Sequence, residues 1–281
     1  MTTATDNGLG VLEGGQLRLL RAIDATFLRL ADSWQAQEYR FPFLMRCADL
    51  DTFDYYDNFP HLGLSATRLD PGRLADLLKQ GPRPVEEIPS EVMEPAVYAL
   101  PSAACYAVYL HLAGTELPAE GTLRTTVGTC FRNEDRFQGL QRLLGFSMRE
   151  IVCVGQEDTA KKHLLRAKDA VAGLCAELGL DFRLEVATDP FFDRNSGKAK
   201  MQRLFPVKEE FVVNGLAIGS VNYHRNFFGE RCGIRAGDAT AHTSCLAFGL
   251  ERWVHTLTEH FGGVDAALAA VEGLNRPPGS D

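Results

Sequence analysis

Two separated stretches constrain this chain more than anything else in it: TCFRNEDRFQGLQRLLGFSMRE at 129–150 and SCLAFGLERW at 244–253. The first opens as a strand, passes an Arg-x-Glu step and a polar turn, and returns through apolar residues to a glutamate. That pattern predicts a hairpin with its charged groups facing one way. Arg132 and Glu134, two residues apart, then share a face. Arg132 suits an α-phosphate, Glu134 or its backbone suits an adenine amino group, and Phe146 on the return strand suits a stacked base. Arg252, after Gly249 at a helix start, suits terminal phosphates. Arg-x-Glu standing alone reads as a surface ion pair; with these companions it reads as a grip for a nucleotide.

FRNE at 131–134 resembles the start of motif 2 of the class II aminoacyl-tRNA synthetases, RLLGF with SMRE at 142–150 resembles its return strand, and AFGLERW at 247–253 resembles motif 3. Within that class the chain is most similar to seryl-tRNA synthetases, where NFFGERCGI at 226–234 also fits the segment before motif 3. Ala247 departs from the pattern, standing where motif 3 usually has its first glycine. The resemblance implies an α+β fold, a class II synthetase-like antiparallel β-sheet flanked by helices. It implies ATP binding by Arg132, Glu134, Arg142, Phe146, Glu251 and Arg252, with Arg132 and Arg252 catalytic and Mg2+ accompanying ATP near Glu251.

Composition decides which branch is expected. At 281 residues and 45% hydrophobic, the chain has room for one substantial core and no second large domain. The expected division is a flexible N-terminus over 1–14, one catalytic domain over 15–275 and a disordered tail over 276–281. A net charge of −8 does not invite a polyanion such as tRNA. There is no apolar run of membrane-spanning length, and MTTATDNGLG lacks the parts of a signal peptide, so a cytoplasmic protein with no membrane partner is expected. Seven cysteines without a C-x-x-C pair form no disulfide framework.

Along the chain, Leu17, Leu20, Ile23, Phe27, Leu30 and Trp34 predict a helix over 15–37, followed by a strand at 38–45 interrupted by Pro42. This pair resembles motif 1, which implies a homodimer; a helix packed on its own core fits the periodicity equally well. Residues 49–60 and 69–89 read as a surface excursion with a short helix at 71–79. Seryl-tRNA synthetases of the usual kind carry a coiled-coil arm for tRNA ahead of motif 1, and no heptad run occurs here, so tRNA is not the expected acceptor. Asp158 starts a helix stopped by Gly179, and a strand follows to Asp189. Asp189 reads either as a substrate-amine ligand or as an Asp-Pro turn. Arg194, Lys198, Lys200, Arg203 and Lys208 form a basic run, which is either a solvated face or a docking surface for an acidic carrier protein.

Arm-less relatives of the seryl enzymes are amino acid:[carrier protein] ligases. In them and in the zinc-dependent seryl branch, one Zn2+ is held by a Cys, the Glu closing motif 2 and a Cys before motif 3; Cys105, Glu150 and Cys245 match. Taken alone, Cys105 among Ala, Tyr and Val reads as a small core hydrophobe, as do Cys130, Cys153 and Cys175. Two thiolates and one carboxylate leave a fourth tetrahedral position for an amine. The resemblance implies adenylation of glycine or alanine by ATP and transfer to the phosphopantetheine thiol of a carrier protein. A seryl-type tRNA synthetase without the arm, or a non-catalytic synthetase-like regulator, are the alternatives.

Overall fold

A computed structural model gives the fold for residues 7–81, 84–193, 195–197, 200 and 207–275. Helix α1 (Gly14–Ser33) buries Leu19, Ile23, Phe27 and Ala31 along one stripe and ends ahead of Gln35, which takes a left-handed φ of 61°. Strand β1 (Gln37–Tyr39) follows. The strand predicted over 38–45 does not continue through Pro42, which offers no N–H to a ladder; β2 (Met45–Arg46) resumes in a different sheet. Next come α2 (Cys47–Asp51) and α3 (Tyr55–Asn58), and they correct the surface excursion expected here. Leu50, Phe53 and Tyr55 are 1%, 4% and 1% exposed, because an aromatic run this dense gains more by burial than its acidic neighbours lose.

Strand β3 (Leu64–Ala66) precedes α4 (Pro71–Gln80), whose first turn is capped by the Asp70 carboxylate accepting from the Gly72 and Arg73 N–H groups. With β4 (Tyr98–Leu100), β2 and β3 make a small sheet ordered β2-β4-β3. Helix α5 (Tyr106–His111) and β5 (Glu116–Leu117) lead into the long hairpin of β6 (Thr122–Phe131) and β7 (Gly145–Gly155). Helix α6 (Glu157–Glu177) and β8 (Arg183–Ala187) come next. Strands β9 (Lys208–Val213) and β10 (Leu216–Arg225) are joined by Asn214-Gly215, both at positive φ as a tight two-residue hairpin turn needs. Residues 227–232, within the segment that resembles the one before motif 3, form helix α7 (Phe227–Cys232). The chain closes with β11 (Arg235–Ala236), β12 (Ala239–Thr240), β13 (His242–Gly249), α8 (Leu250–His260) and α9 (Val264–Leu274).

The main sheet runs β1-β6-β7-β13-β10-β9-β8, antiparallel throughout except for the parallel β1–β6 pair. Its two faces bury different things, as the two-residue strand period requires. Ile151, Leu246 and Phe248 meet α1, α6, α8 and α9, with Phe27 stacked on Phe248 at 3.7 Å. Val152, Val154, Cys245 and Ala247 turn the other way, toward α5, α7 and the aromatic segment at 53–59. Arg149, 1% exposed, lies on the helix side and binds Asp24 of α1 through two hydrogen bonds (2.7 and 2.9 Å) and Glu38 of β1 at 2.8 Å.

The N-terminal stretch expected to be flexible is partly packed: Gly8 is buried and its carbonyl accepts from the Leu144 N–H at 2.9 Å. Residues 1–6, the tail 276–281, and Arg194, Lys198 and Arg203 of the basic run lie outside the described residues. Among the described residues no helix is long and apolar enough to cross a membrane, and no disulfide joins the cysteines.

Candidate active site

The hairpin β6–β7 carries one half of the site and the β13–α8 junction the other. Strand β6 ends at Phe131, so Arg132 and Glu134 sit in the turn beyond it and not on a shared strand face. The turn is still ordered: the Arg132 N–H donates to the Leu144 carbonyl, and Gln138 and Arg142 pair through both backbone bonds as a smaller hairpin. This folds Arg142 back onto Glu134, and the two form an ion pair. Arg132 donates through Nε and Nη2 to the Ser102 carbonyl (3.2 and 3.1 Å), and its guanidinium lies 5.0 Å from the Phe146 ring centre. Arg252, in the first turn of α8, donates to the Gln141 and Ala217 carbonyls at 2.8 and 2.9 Å. Backbone carbonyls thus orient both arginines without neutralising them. Burial first, and then the charge of Arg132, lower the pKa of Arg252, as expected of buried cations gathered in one place.

Glu251 is 9% exposed, and its two carboxylate oxygens accept from the Ser147 N–H at 3.0 and 2.8 Å. Burial raises its pKa although the Ser147 N–H opposes this. Each oxygen keeps a second lone pair, so a Mg2+ carried by a nucleotide fits beside it. Arg132, Glu134, Arg142, Phe146, Glu251 and Arg252, all expected from the sequence to hold ATP, line one cavity together with Lys208, Glu210 and Gly219.

A second cavity, of about 470 Å3, adjoins the first. Its walls are the aromatic residues Phe53, Phe59, Tyr106, Phe191 and Phe228, and its floor holds Cys105, Glu150 and Cys245. These three come from the start of α5, from β7 and from β13, and β13 pairs with β7 so that Ala247 stands opposite Glu150. They are 5%, 2% and 1% exposed, and their ligand atoms all lie within 4.8 Å of one another. Glu150 Oε1 accepts from the Ala104 and Cys105 N–H groups at 2.7 and 3.2 Å, while Oε2 accepts from Cys245 Sγ at 2.9 Å. Although a hydrogen bond from Cys245 acts to lower it, the Cys105 thiol is pushed up to about 11 by burial and by the Glu150 charge. Burial likewise raises Cys245. Two thiols and a carboxylate brought together in a buried cluster are a donor set that a divalent, thiophilic cation satisfies, and the residues fit zinc.

His224 also lines this cavity, its Nδ1 shared between Thr243 Oγ1 at 3.2 Å and Tyr109 Oη at 3.4 Å; burial pushes its pKa down to about 4, so it is neutral. Asp189, expected as an amine ligand or a turn, reaches the cavity wall and forms an ion pair with Lys208 at 3.4 Å. Sequence reasoning missed the cavity wall. Phe53 lies in the stretch expected at the surface and Lys208 in the basic run, and the three consecutive charges Lys208, Glu209 and Glu210 that open β9 hide which of them faces the cavity. Arg231 pairs with Asp54 at 2.6 Å beside the cavity.

The fold has solved counterparts. M. kandleri seryl-tRNA synthetase, in complex with A. aeolicus tRNASec, matches 97% of this chain and 58% of its own length at a TM-score of 0.80 and 18% identity. The architecture, an antiparallel sheet flanked by helices, is that of the class II aminoacyl-tRNA synthetases. No family model matches the chain. Amino acid–[acyl-carrier-protein] ligase 1 of Bradyrhizobium diazoefficiens is 35% identical over 227 residues, 76% of this chain and 68% of its own. Ligase 2 of the same organism is 34% identical over 243 residues, covering 82% and 71%. The chain belongs to the amino acid–[acyl-carrier-protein] ligase family.

Proposed function

We propose that this ligase activates a small amino acid, glycine or alanine, with ATP and transfers the aminoacyl group to the phosphopantetheine thiol of a carrier protein. The observation that carries the reading is the junction of the two cavities, which share Arg132, Met148, Lys208, Ser220 and Ala247. A nucleotide in the first and an amino acid in the second meet there. A carboxylate oxygen of the amino acid attacks the α-phosphorus, the bond to the β-phosphate breaks and pyrophosphate leaves. Arg132 and Arg252, already oriented by carbonyls, offset the phosphate charge as it redistributes, so little reorganisation is needed at the moment of reaction. When bound by Cys105, Glu150 and Cys245, zinc supplies an open Lewis-acid position for the substrate amine. The aromatic walls exclude water from an adenylate that water would otherwise destroy. In the second half-reaction the carrier thiol attacks the acyl carbon, a thioester forms, AMP leaves and the thiol proton is released.

The protein acts as a homodimer in this reading, supported by β1 at the sheet edge beside α1 and by Phe43 and Leu44 left 58% and 37% exposed next to it. The test is amino-acid-dependent exchange between ATP and pyrophosphate across all twenty amino acids, before and after chelation, followed by transfer to carrier protein and to tRNA. Zinc-dependent exchange with glycine or alanine and transfer to carrier protein alone are expected. Charging of tRNA would overturn the acceptor, and no exchange in folded, zinc-loaded protein would overturn the activity.

A further inference from the structure

We infer that Lys208 contacts the substrate in the adenylation step, its ammonium holding the amino acid's carboxylate against the α-phosphate; this deepens the proposed function and rests on it. Register places the residue. In β9, Lys208 stands opposite Asn222 of β10, and Asn222 stands opposite Cys245 of β13, so the three side chains form a row on the cavity face of the sheet. Two strand spacings separate Lys208 from Cys245, about 10 Å between backbones. An α-amino acid whose amine lies at the Cys105–Glu150–Cys245 cluster points its carboxylate along that row, and the lysine stem spans what remains.

The junction needs a cation there. Two anions, a carboxylate and a phosphate, must approach each other, and repulsion in a poorly hydrated cleft is costly. Of the five described residues common to both cavities, Met148, Ser220 and Ala247 carry no charge, and Arg132 spends Nε and Nη2 on the Ser102 carbonyl. Lys208 is the other cation. Its side chain is 17% exposed and lies between Asp189 at 3.4 Å and Glu210 at 3.2 Å. Charge-assisted bonds close at about 2.7–2.9 Å, so both contacts are loose and the ammonium has room to turn toward a substrate. An ammonium carries three donors, and these two carboxylates do not exhaust them. Through that ion pair Asp189 positions Lys208. No proton moves: the carboxylate oxygen forms the bond to phosphorus, pyrophosphate leaves with the electron pair of the broken bond, and Lys208 stays an ammonium.

The experiment is ATP–pyrophosphate exchange by the zinc-loaded full chain and by Lys208→Met, Lys208→Arg, Asp189→Asn and the double variant Lys208→Met with Asp189→Asn. Lys208→Met is expected to lose about 10- to 100-fold in kcat/KM for the amino acid, with KM for ATP and zinc content unchanged. Lys208→Arg should recover part of the loss, and the double variant should stay as impaired as Lys208→Met. Constants near wild type for Lys208→Met would overturn the inference, as would recovery in the double variant, which would mean that Lys208 only neutralises Asp189. A rise in KM for ATP alone would also overturn it. Should Lys208→Met not fold, Lys208→Gln and Lys208→Arg give the same split between the two KM values. Absence of exchange in the wild type is a separate outcome and overturns the proposed activity itself.

Discussion

Arg149→Met isolates what the buried guanidinium contributes. Arg149 is 1% exposed and ties three elements together, with both oxygens of Asp24 on α1, Glu38 on β1 and its own strand β7. Methionine fills similar volume but leaves two carboxylates without their cation. Glu38 is 46% exposed and is rehydrated on the spot, so its share is below about 1 kcal/mol. Asp24 is 24% exposed, and stranding it costs toward the lower end of the range for broken buried pairs, about 3 kcal/mol. For a chain of this length each kcal/mol lowers Tm by about 2 °C, so a drop of about 6 °C is expected by circular dichroism. Adding Asp24→Asn should return about half of it, since the stranded charge is what hurts. Because Arg149 and its neighbour Glu150 point to opposite faces, zinc content and exchange constants at 25 °C should stay within about twofold. A Tm within about 1 °C of wild type, or a double variant weaker than the single, would show that the pair contributes nothing to the joint between α1, β1 and β7.

Other outcomes can be checked alongside. Glu150→Gln and Cys245→Ser should purify with less than half the zinc of wild type by metal analysis, and should lose the stabilisation zinc confers, about 4 kcal/mol at a thousandfold excess over Kd. Zinc affinity should rise with pH, because the thiols that burial has pushed up must give up their protons to bind it; a flat profile would exclude thiolate ligation. His163 is buried, with Nδ1 on Ser244 Oγ, and burial pushes its pKa from 6.5 to about 4. Its folded-state value lies below the unfolded one, so the stability it contributes is intact above pH 6.5 and is lost as pH falls toward 4, by up to about 3 kcal/mol. His163→Gln should flatten the fall of Tm over that window, and parallel curves would refute the assignment. Gly229→Ala puts a Cβ 2.0 Å from the Ala241 carbonyl oxygen, which is backbone and cannot swing away, so a loss of about 3 kcal/mol or more, read from urea unfolding, is expected.

Legibility in the sequence followed how local each feature is. The β6–β7 hairpin and the β13–α8 junction each lie within one short stretch, so alternation and turn residues expose them, and the residues expected to hold ATP lie in those stretches. Cys105, Glu150 and Cys245 are 45 and 95 residues apart, a separation no spacing rule detects; only resemblance brought them together in advance. The second cavity's walls were hidden for another reason. Phe53 and Tyr55 sit among aspartates that look solvated, and their burial depends on α5 and α7 packing over them. The pairing of Asp189 with Lys208 joins a loop to a strand across a segment with no periodicity, so each residue could be read only alone.

Gly8 has a practical consequence. Its carbonyl is hydrogen-bonded to Leu144, and a Cβ there would fall 2.5 Å from the ring of Phe137, both on the loop between β6 and β7. Anything that pulls on the chain ahead of residue 7 pulls on that loop. An affinity tag is therefore better placed after α9 than on the chain ahead of Gly8.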